Sequence, residues 1–393
     1  PGSIEADALS LTARITEPDG VADTTAALHL SGLSRGDIAG DLSLIAAGPA
    51  AALKLDADAE LTTGLGPASV TAAGRLDVAA RRLMINRLAG TMAEQTLRLL
   101  QPATLELADG VAVDRLRVGL GPGTLALNGR LSPRLDLAAT VADLPLEPLW
   151  GLVADLAPDL AGDLTLTGTL NGETRLSGTL SAPLGNLNAE ASGVRLTAGP
   201  GRALPPAKLQ LAARLNATDT EIDARADAGA TSSLRLRGRL GGPLTAPSAL
   251  ALRANGSLDL TLLNPLLNAA GRQTSGQLLL DADVGGSFRS PRLNGRLRIT
   301  DAALSDLRLG INLSDVGGAL ILSGDDLLIE RLTGRAGNGT VALTGRVVLL
   351  APDLHVDLRL VAEQAELVQL DRLDINAVAI VRLQGLAVEQ LKS

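Results

Sequence analysis

The sequence predicts an all-β protein: an elongated, curled antiparallel sheet with an apolar concavity, punctuated by short helices. Three observations predict it. Apolar and polar residues alternate with period 2 over long stretches, turn-forming pairs separate the stretches, and the apolar mass is aliphatic rather than aromatic. In Asp163–Leu170, Leu234–Leu240, Leu293–Ile299 and Val341–Val347, Leu, Ile or Val fall on one parity and Thr, Arg, Asn or Asp on the other. That is a strand with one apolar and one wet face. Leucine is not the strongest strand former, but the alternation outweighs a weak propensity.

Turn chemistry spaces the strands. Asn171-Gly172 and Asn338-Gly339 read as two-residue hairpin turns, whose central residues need positive φ; Asp19-Gly20, Asp109-Gly110 and Asn255-Gly256 read as weaker versions. Gly119–Gly123 reads as a turn before the strand Thr124–Leu127 rather than as a phosphate loop, because no Lys-Ser/Thr follows it. At larger scale Gly-Arg-Leu or a close variant begins at Gly74, Gly129, Gly178, Gly238, Gly295 and Gly345, at offsets of 55, 49, 60, 57 and 50 by subtraction. Such a loose period indicates similar strand modules, not a strict solenoid.

Two segments break the alternation with helical spacing: Leu146–Leu156, with Pro148 near its start, and Leu262–Gly271, with Gly271 as C-cap. Each precedes a strand opening on glycine, Gly162-Asp163-Leu164 and Gly276-Gln277-Leu278. Ala362–Leu370 reads as a weaker third copy before Val378–Gly385. The chain is then one continuous object, 1–393, in four parts: strand modules over 1–142, helix-plus-strand modules over 143–260 and 261–361, and the start of a third over 362–393. At ~12–13 residues per strand and turn it holds about 30 strands, and at ~4.8 Å each a flat sheet would run on the order of 140 Å. Open sheets beyond ~10 strands curl, split or wind.

Composition narrows the function. Hydrophobic residues are 46% of the 393 and aromatic residues 1%; Leu alone is roughly a fifth, against an ordinary background. The chain can bury too much apolar surface to be disordered. A formal charge of −8, with no basic block and almost no ring to stack on a base, argues against nucleic acid as a partner. There is no cysteine, hence no disulfide and no thiolate metal site. No stretch of ~18 apolar residues offers a transmembrane helix. The opening Pro-Gly-Ser and the ending at Leu391-Lys392-Ser393 lead us to expect a piece of a longer chain.

No catalytic constellation is visible, and the chain reads as a non-enzyme without a cofactor or metal. His29 and His355, 326 positions apart, read as ordinary strand histidines. Asp325-Asp326 reads as a solvated hairpin turn. Arg235, Arg237, Arg239, Arg296 and Arg298 fall on the polar parity; they read as a charged outer face that resists edge aggregation, with phosphate headgroups as the alternative. Trp150 reads as a helix residue anchoring its sheet.

The apolar parity is the candidate site. Its residues are Leu164, Leu166, Leu170, Leu234, Leu236, Leu240, Leu278, Leu280, Val284, Leu293, Leu297, Ile299, Val341, Leu343, Val347 and Leu349. With so few rings to plug an interior, this face either closes on itself as a dry core or holds acyl chains, each buried CH₂ contributing ~0.8 kcal/mol.

The phrase Gly285-Gly286-Ser287-Phe288-Arg289-Ser290-Pro291-Arg292-Leu293-Asn294-Gly295-Arg296-Leu297 resembles the recurring Gly-x-x-x-x-Pro-x-Leu-x-Gly-x-Leu of the TamB family of envelope proteins, part of the AsmA-like group. Degenerate copies stand at Gly178–Gly185 and Gly242–Pro247, and Leu327–Gly345 is similar too. The resemblance covers residues 140–385 most specifically. It implies a taco-like hydrophobic β-groove in the periplasm, belonging to a protein anchored in the inner membrane and paired with an Omp85-type, TamA-like outer-membrane partner through parts outside this chain. It implies that phospholipid acyl chains pass along the groove between the membranes in support of outer-membrane biogenesis. The competing reading is a structural β-helix, a passenger or adhesin of an exported protein, with a closed dry core.

Overall fold

The structure is a computed structural model and describes residues 7–16, 23–35, 38–63, 66–92, 95–147, 165–242, 248–287, 290–308, 310–348, 355–370 and 373–386. The chain divides into two compact units, Pro1–Val194 and Arg195–Ser393. Both are all-β, and the pairings are antiparallel.

The first unit contains β1 (Ala8–Thr16), β2 (Asp23–Arg35), β3 (Ile38–Pro49), β4 (Leu53–Thr63), β5 (Gly66–Asp77) and β6 (Arg82–Met92), each paired with the next. Two short strands, β7 (Gln95–Leu99) and β8 (Ala103–Glu106), both bridge β6 to β9 (Ala112–Leu120). The meander resumes through β10 (Gly123–Arg130), β11 (Leu135–Pro145) and β12 (Leu166–Gly178). β13 (Pro183–Leu196) runs across the division between the units.

The second unit is a meander of β14 (Ala207–Leu215), β15 (Asp219–Ala228), β16 (Ser232–Gly241), β17 (Ala249–Asp259), β18 (Arg272–Ser287), β19 (Ser290–Asp306), β20 (Ile311–Gly324), β21 (Asp326–Ala336), β22 (Gly339–Val348), β23 (His355–Leu370) and β24 (Leu373–Leu386). Each pairs with its successor. The strands reach the 17 residues of β19, longer than the turn spacing implies, and 24 of them occupy the described residues.

The helix expected at Leu262–Gly271 is present. A 3₁₀ turn at Leu260–Leu263, a single α turn, α1 (Asn264–Leu267), and a second 3₁₀ turn at Asn268–Ala270 follow one another. Asp259 caps the start by accepting the N–H of Thr261, and Gly271 closes the end at φ 75°, where a side chain would be strained. The helix expected at Leu146–Leu156, its Trp150 and the strand start at Gly162 lie almost wholly outside the described residues.

Four local expectations are corrected. Ala362–Leu370 is the second half of β23, not a helix. A bulge between Ala362 and Ala365, with Gln364 at φ 50°, brings both alanines to one face and so imitates helical spacing. Asn171-Gly172 and Asn255-Gly256 lie inside β12 and β17 rather than in turns. Asn171 Oδ1 instead accepts the N–H of Asp143, a bulged residue of β11 at φ 50°. The hairpin near Asn338-Gly339 turns one residue earlier, through Gly337 and Asn338, because Ala336 pairs with Gly339. β18 likewise begins at Arg272; Gly276, the expected strand opening, lies within it, opposite the bulge that Asp301 and Ala302 make in β19.

Among the described residues, Ala336, Val341, Ala362 and Ala365 form a compact buried apolar cluster, with Leu313 and Leu360 packed on it. It joins β20 and β23, which are three steps apart in the meander, so the sheet of the second unit curls inward there.

Candidate functional site

Strand register, not sequence alone, decides whether the apolar residues form a surface. In the second unit it joins them into unbroken rows running across the strands. One row is Leu209, Ala226, Leu234, Gly256, Leu280, Leu297, Leu320, Ile329, Gly345 and Leu358, one residue from each strand β14 to β23. The next is Leu211, Ala224, Leu236, Ala254, Ala282, Gly295, Leu322, Leu327, Val347 and Val356. Flanking rows carry Leu252, Val284 and Leu293 on one side, and Leu278, Ile299, Leu343 and Leu360 on the other. At ~4.8 Å per step, ten strands make a face roughly 43 Å across.

The predicted lining residues of this unit that the structure describes lie on this face: Leu234, Leu236, Leu240, Leu278, Leu280, Val284, Leu293, Leu297, Ile299, Val341, Leu343 and Val347. Leu166 and Leu170 lie on one parity of β12 in the first unit, Leu170 opposite the buried Leu144. Leu164 and Leu349 lie outside the described residues. The first unit has rows of the same kind, such as Leu9, Leu30, Leu42, Ala59, Val70, Gly90 and Leu97.

Of the Gly-Arg-Leu repeat, Gly295 and Gly345 stand in these rows and Gly238 stands opposite Leu252 in a flanking row. A Cβ on Gly238 would run into the Ala251 carbonyl oxygen of the neighbouring strand, and the residue holds φ 148°, which side chains rarely adopt. Its glycine thus lets the neighbouring strand approach closely.

The face is not uniformly covered. Leu320, Leu322 and Ile329, toward the curled end, are buried, whereas Leu234 keeps 44% and Leu209 38% of its surface exposed. Between β15 and β19 lies an open cavity of about 290 Å³ lined by Ala226, Ala228, Ser232, Ser233, Leu234, Gly256, Ser257, Leu258, Leu278, Leu280 and Leu297. Four of these leucines, 234, 278, 280 and 297, were legible in the sequence. Leu258 and the alanine and glycine floor were not. Alanine and glycine have no alternation signal strong enough to mark a site.

The opposite face is ionic. Arg235 grips Asp223 with Nε and Nη2 at 2.9 and 2.8 Å, and Arg237 Nε donates to the same carboxylate at 3.0 Å. Arg239 reaches Glu221 at 3.2 Å, Arg253 binds Asp281 and Arg346 binds Asp326. These arginines point away from the apolar rows and are held by acids, as the outer-face reading expects. Asp325 sits in the β20–β21 turn, and His29 and His355 are exposed strand residues. Among the described residues no group of three or more His, Cys, Asp or Glu is placed to hold a metal. Among them, too, no helix is long and apolar enough to cross a membrane.

Fold and site together define a β-sheet protein whose organised feature is a continuous, partly open apolar face. No protein-family model matches the chain, and neither a curated protein nor a solved structure matches it.

Proposed function

We propose that the apolar face is a rail for acyl chains, and that the protein conducts phospholipid with the chains on this face and the headgroups in water. One observation carries the reading. Ten successive strands contribute only Leu, Ile, Val, Ala or Gly to each of two adjacent rows, while the face over β15 to β19 stays open. A dry core would bury those leucines; half-exposed Leu234 in a continuous apolar row is surface held ready for an apolar ligand. On this reading the TamB-like phrase at Gly285–Leu297 marks a lipid-bridging protein of the periplasm that supports outer-membrane biogenesis. An Omp85-type partner is then expected at the outer membrane.

A second reading, a structural β-protein with a closed core, draws support from the sealed cluster of Ala336, Val341, Ala362 and Ala365. Mass spectrometry of organic extracts from the purified chain, beside a matched soluble control protein, separates the two. Phospholipid at one or more molecules per chain is the expected result. A folded, stable protein free of lipid overturns the rail and leaves the structural reading.

A further inference from the structure

We infer that one end of this face carries a docking site for the phosphate of a phospholipid, formed by Arg272 and Arg308 around the buried carboxylate of Asp306. The inference rests on the reading of the face as a lipid rail and adds the headgroup to it. Register fixes the side of the sheet. Thr274, Leu304 and Leu313 form a row on the apolar side, since Leu313 packs on the buried cluster. Two residues further along the same strands come Arg272, Asp306 and Ile311, again on the apolar side. Unlike Arg235, Arg237 and Arg239, Arg272 therefore stands at the mouth of the apolar face.

Asp306 is 5% exposed, and a carboxylate so placed is stable only when paired. It accepts Nε of Arg272 at 2.7 Å and the backbone N–H of Arg308 at 3.0 Å. The ion pair fixes the Arg272 guanidinium while half of that side chain, 50%, stays exposed. Arg308 crosses over Gly271 beside it; a Cβ placed on Gly271 would lie 3.3 Å from Arg308 Cγ and 3.7 Å from its Nε. Its Nη2 donates to the Ala269 carbonyl at 3.3 Å, one of the five donors a guanidinium offers.

Two guanidiniums and one carboxylate leave one positive charge, which matches a phosphodiester monoanion. The planar fork of arginine suits phosphate oxygens. The scale fits as well. Six residues of β18 separate Arg272 from Leu278 at the cavity, roughly 20 Å at ~3.3 Å per residue. One leaflet of hydrocarbon is about 15 Å deep, half of a ~30 Å bilayer core. A lipid with its phosphate at Arg272 lays its chain along the strand to the edge of the cavity.

The test is binding of two acyl-labelled probes to the purified full chain in one neutral detergent, read by fluorescence anisotropy: phosphatidylglycerol and diacylglycerol with the same chains. Phosphatidylglycerol is expected to bind about tenfold tighter, the effect of one charge-assisted hydrogen bond. Arg308→Gln is expected to remove most of that preference and leave diacylglycerol binding unchanged. So is the double variant Arg272→Gln/Asp306→Asn, which strands no buried charge. Arg253→Gln, on the ionic face, is expected to change neither. Equal affinity of the wild-type chain for both probes, or an intact preference in the folded variants, overturns the headgroup site and spares the rail. Failure of both probes to bind overturns the rail itself. Displacement of phosphatidylglycerol by millimolar inorganic phosphate also overturns the site as a lipid site, because it assigns the arginines to a free anion.

Discussion

Leu234 and Leu320 stand in the same apolar row, yet they answer differently to a charge. Leu320 is 6% exposed and Leu234 44%. Complete burial of a leucine side chain contributes ~1.5–3 kcal/mol. Leu234→Arg forfeits about half of that, roughly 1 kcal/mol, because the arginine stem can lie along the face with its head in water. Leu320→Arg loses nearly all of it and also places an unpaired guanidinium in a closed core. The sum is about 4 kcal/mol or more, a large part of the ~5–15 kcal/mol that holds a domain together. Urea unfolding followed by far-UV circular dichroism measures the stability, and mass spectrometry of the same preparations measures bound lipid. Leu234→Arg is expected to fold close to wild type and to lose most of its co-extracted lipid, since Leu234 lines the cavity. Leu320→Arg is expected to unfold or to be recovered only as aggregate. Equal destabilisation by the two substitutions refutes an open face, and full lipid retention in Leu234→Arg refutes the cavity as the place where the chain lies.

Three further predictions concern the sheet. Gly238→Ala is expected to cost about 3 kcal/mol or more, because it combines backbone strain with a clash against the next strand, whereas Gly285→Ala, whose new Cβ meets nothing nearer than the Leu250 oxygen at 3.9 Å, stays within about 1 kcal/mol in urea titration. Asp301 occupies a bulge at φ 50°, so Asp301→Gly is expected to be neutral or mildly stabilising and Asp301→Val destabilising by about 1–2 kcal/mol, both read as shifts of the unfolding midpoint. The carboxyl of Asp259 is held below its ordinary value of 3.8 by the hydroxyls of Thr261 and Thr231 and by the Thr261 N–H. Its ionised form therefore favours the folded state; that contribution is complete above pH 3.8 and fades as pH falls through the lowered value. The urea midpoint of wild type is expected to exceed that of Asp259→Asn at pH 7, with the gap narrowing toward pH 3.

Much of the face was legible because period-2 alternation is a direct reading of which way each side chain points. Leu278, Leu280, Leu293 and Leu297 needed only their parity and a guess that neighbouring strands were in register. What alternation does not encode is a change of phase. Asp301, Asp315 and Gln364 are ordinary polar residues in the sequence, and their left-handed conformations, which shift the parity of the residues after them, arise from pairing with the adjacent strand. The same limitation turned Ala362–Leu370 into an apparent helix and concealed Asp306 on the apolar side. Asn-Gly is ambiguous for a related reason. The pair suits a turn, but within a wide sheet the asparagine can satisfy a bulge, as Asn171 does, and the glycine can permit close strand approach.

Whether an apolar face opens or closes is a property of the whole sheet, and in the second unit it tracks the bulges. The pairings from β14 through β18 run without a register shift. Those from β18 to β22 shift repeatedly, as does β23 with β24. A bulge inserts a residue on one strand only, bends it and sharpens the local twist. The regular stretch presents the half-exposed Leu234 and the cavity; the bulged stretch brings β23 onto β20 and seals the alanine cluster. Leucine, alanine and glycine alternate equally well in both stretches, so composition does not separate them. The bulges do, and at the change from one regime to the other stands β18, which carries cavity leucines where it pairs with β17 and Arg272 beyond Gly276, the residue opposite the β19 bulge at Asp301 and Ala302. On the lipid reading, that single strand holds both ends of the ligand: Arg272 shares the parity of Leu278 and Leu280, and the bulge in the neighbouring β19 turns Asp306 onto the same face to pair with it.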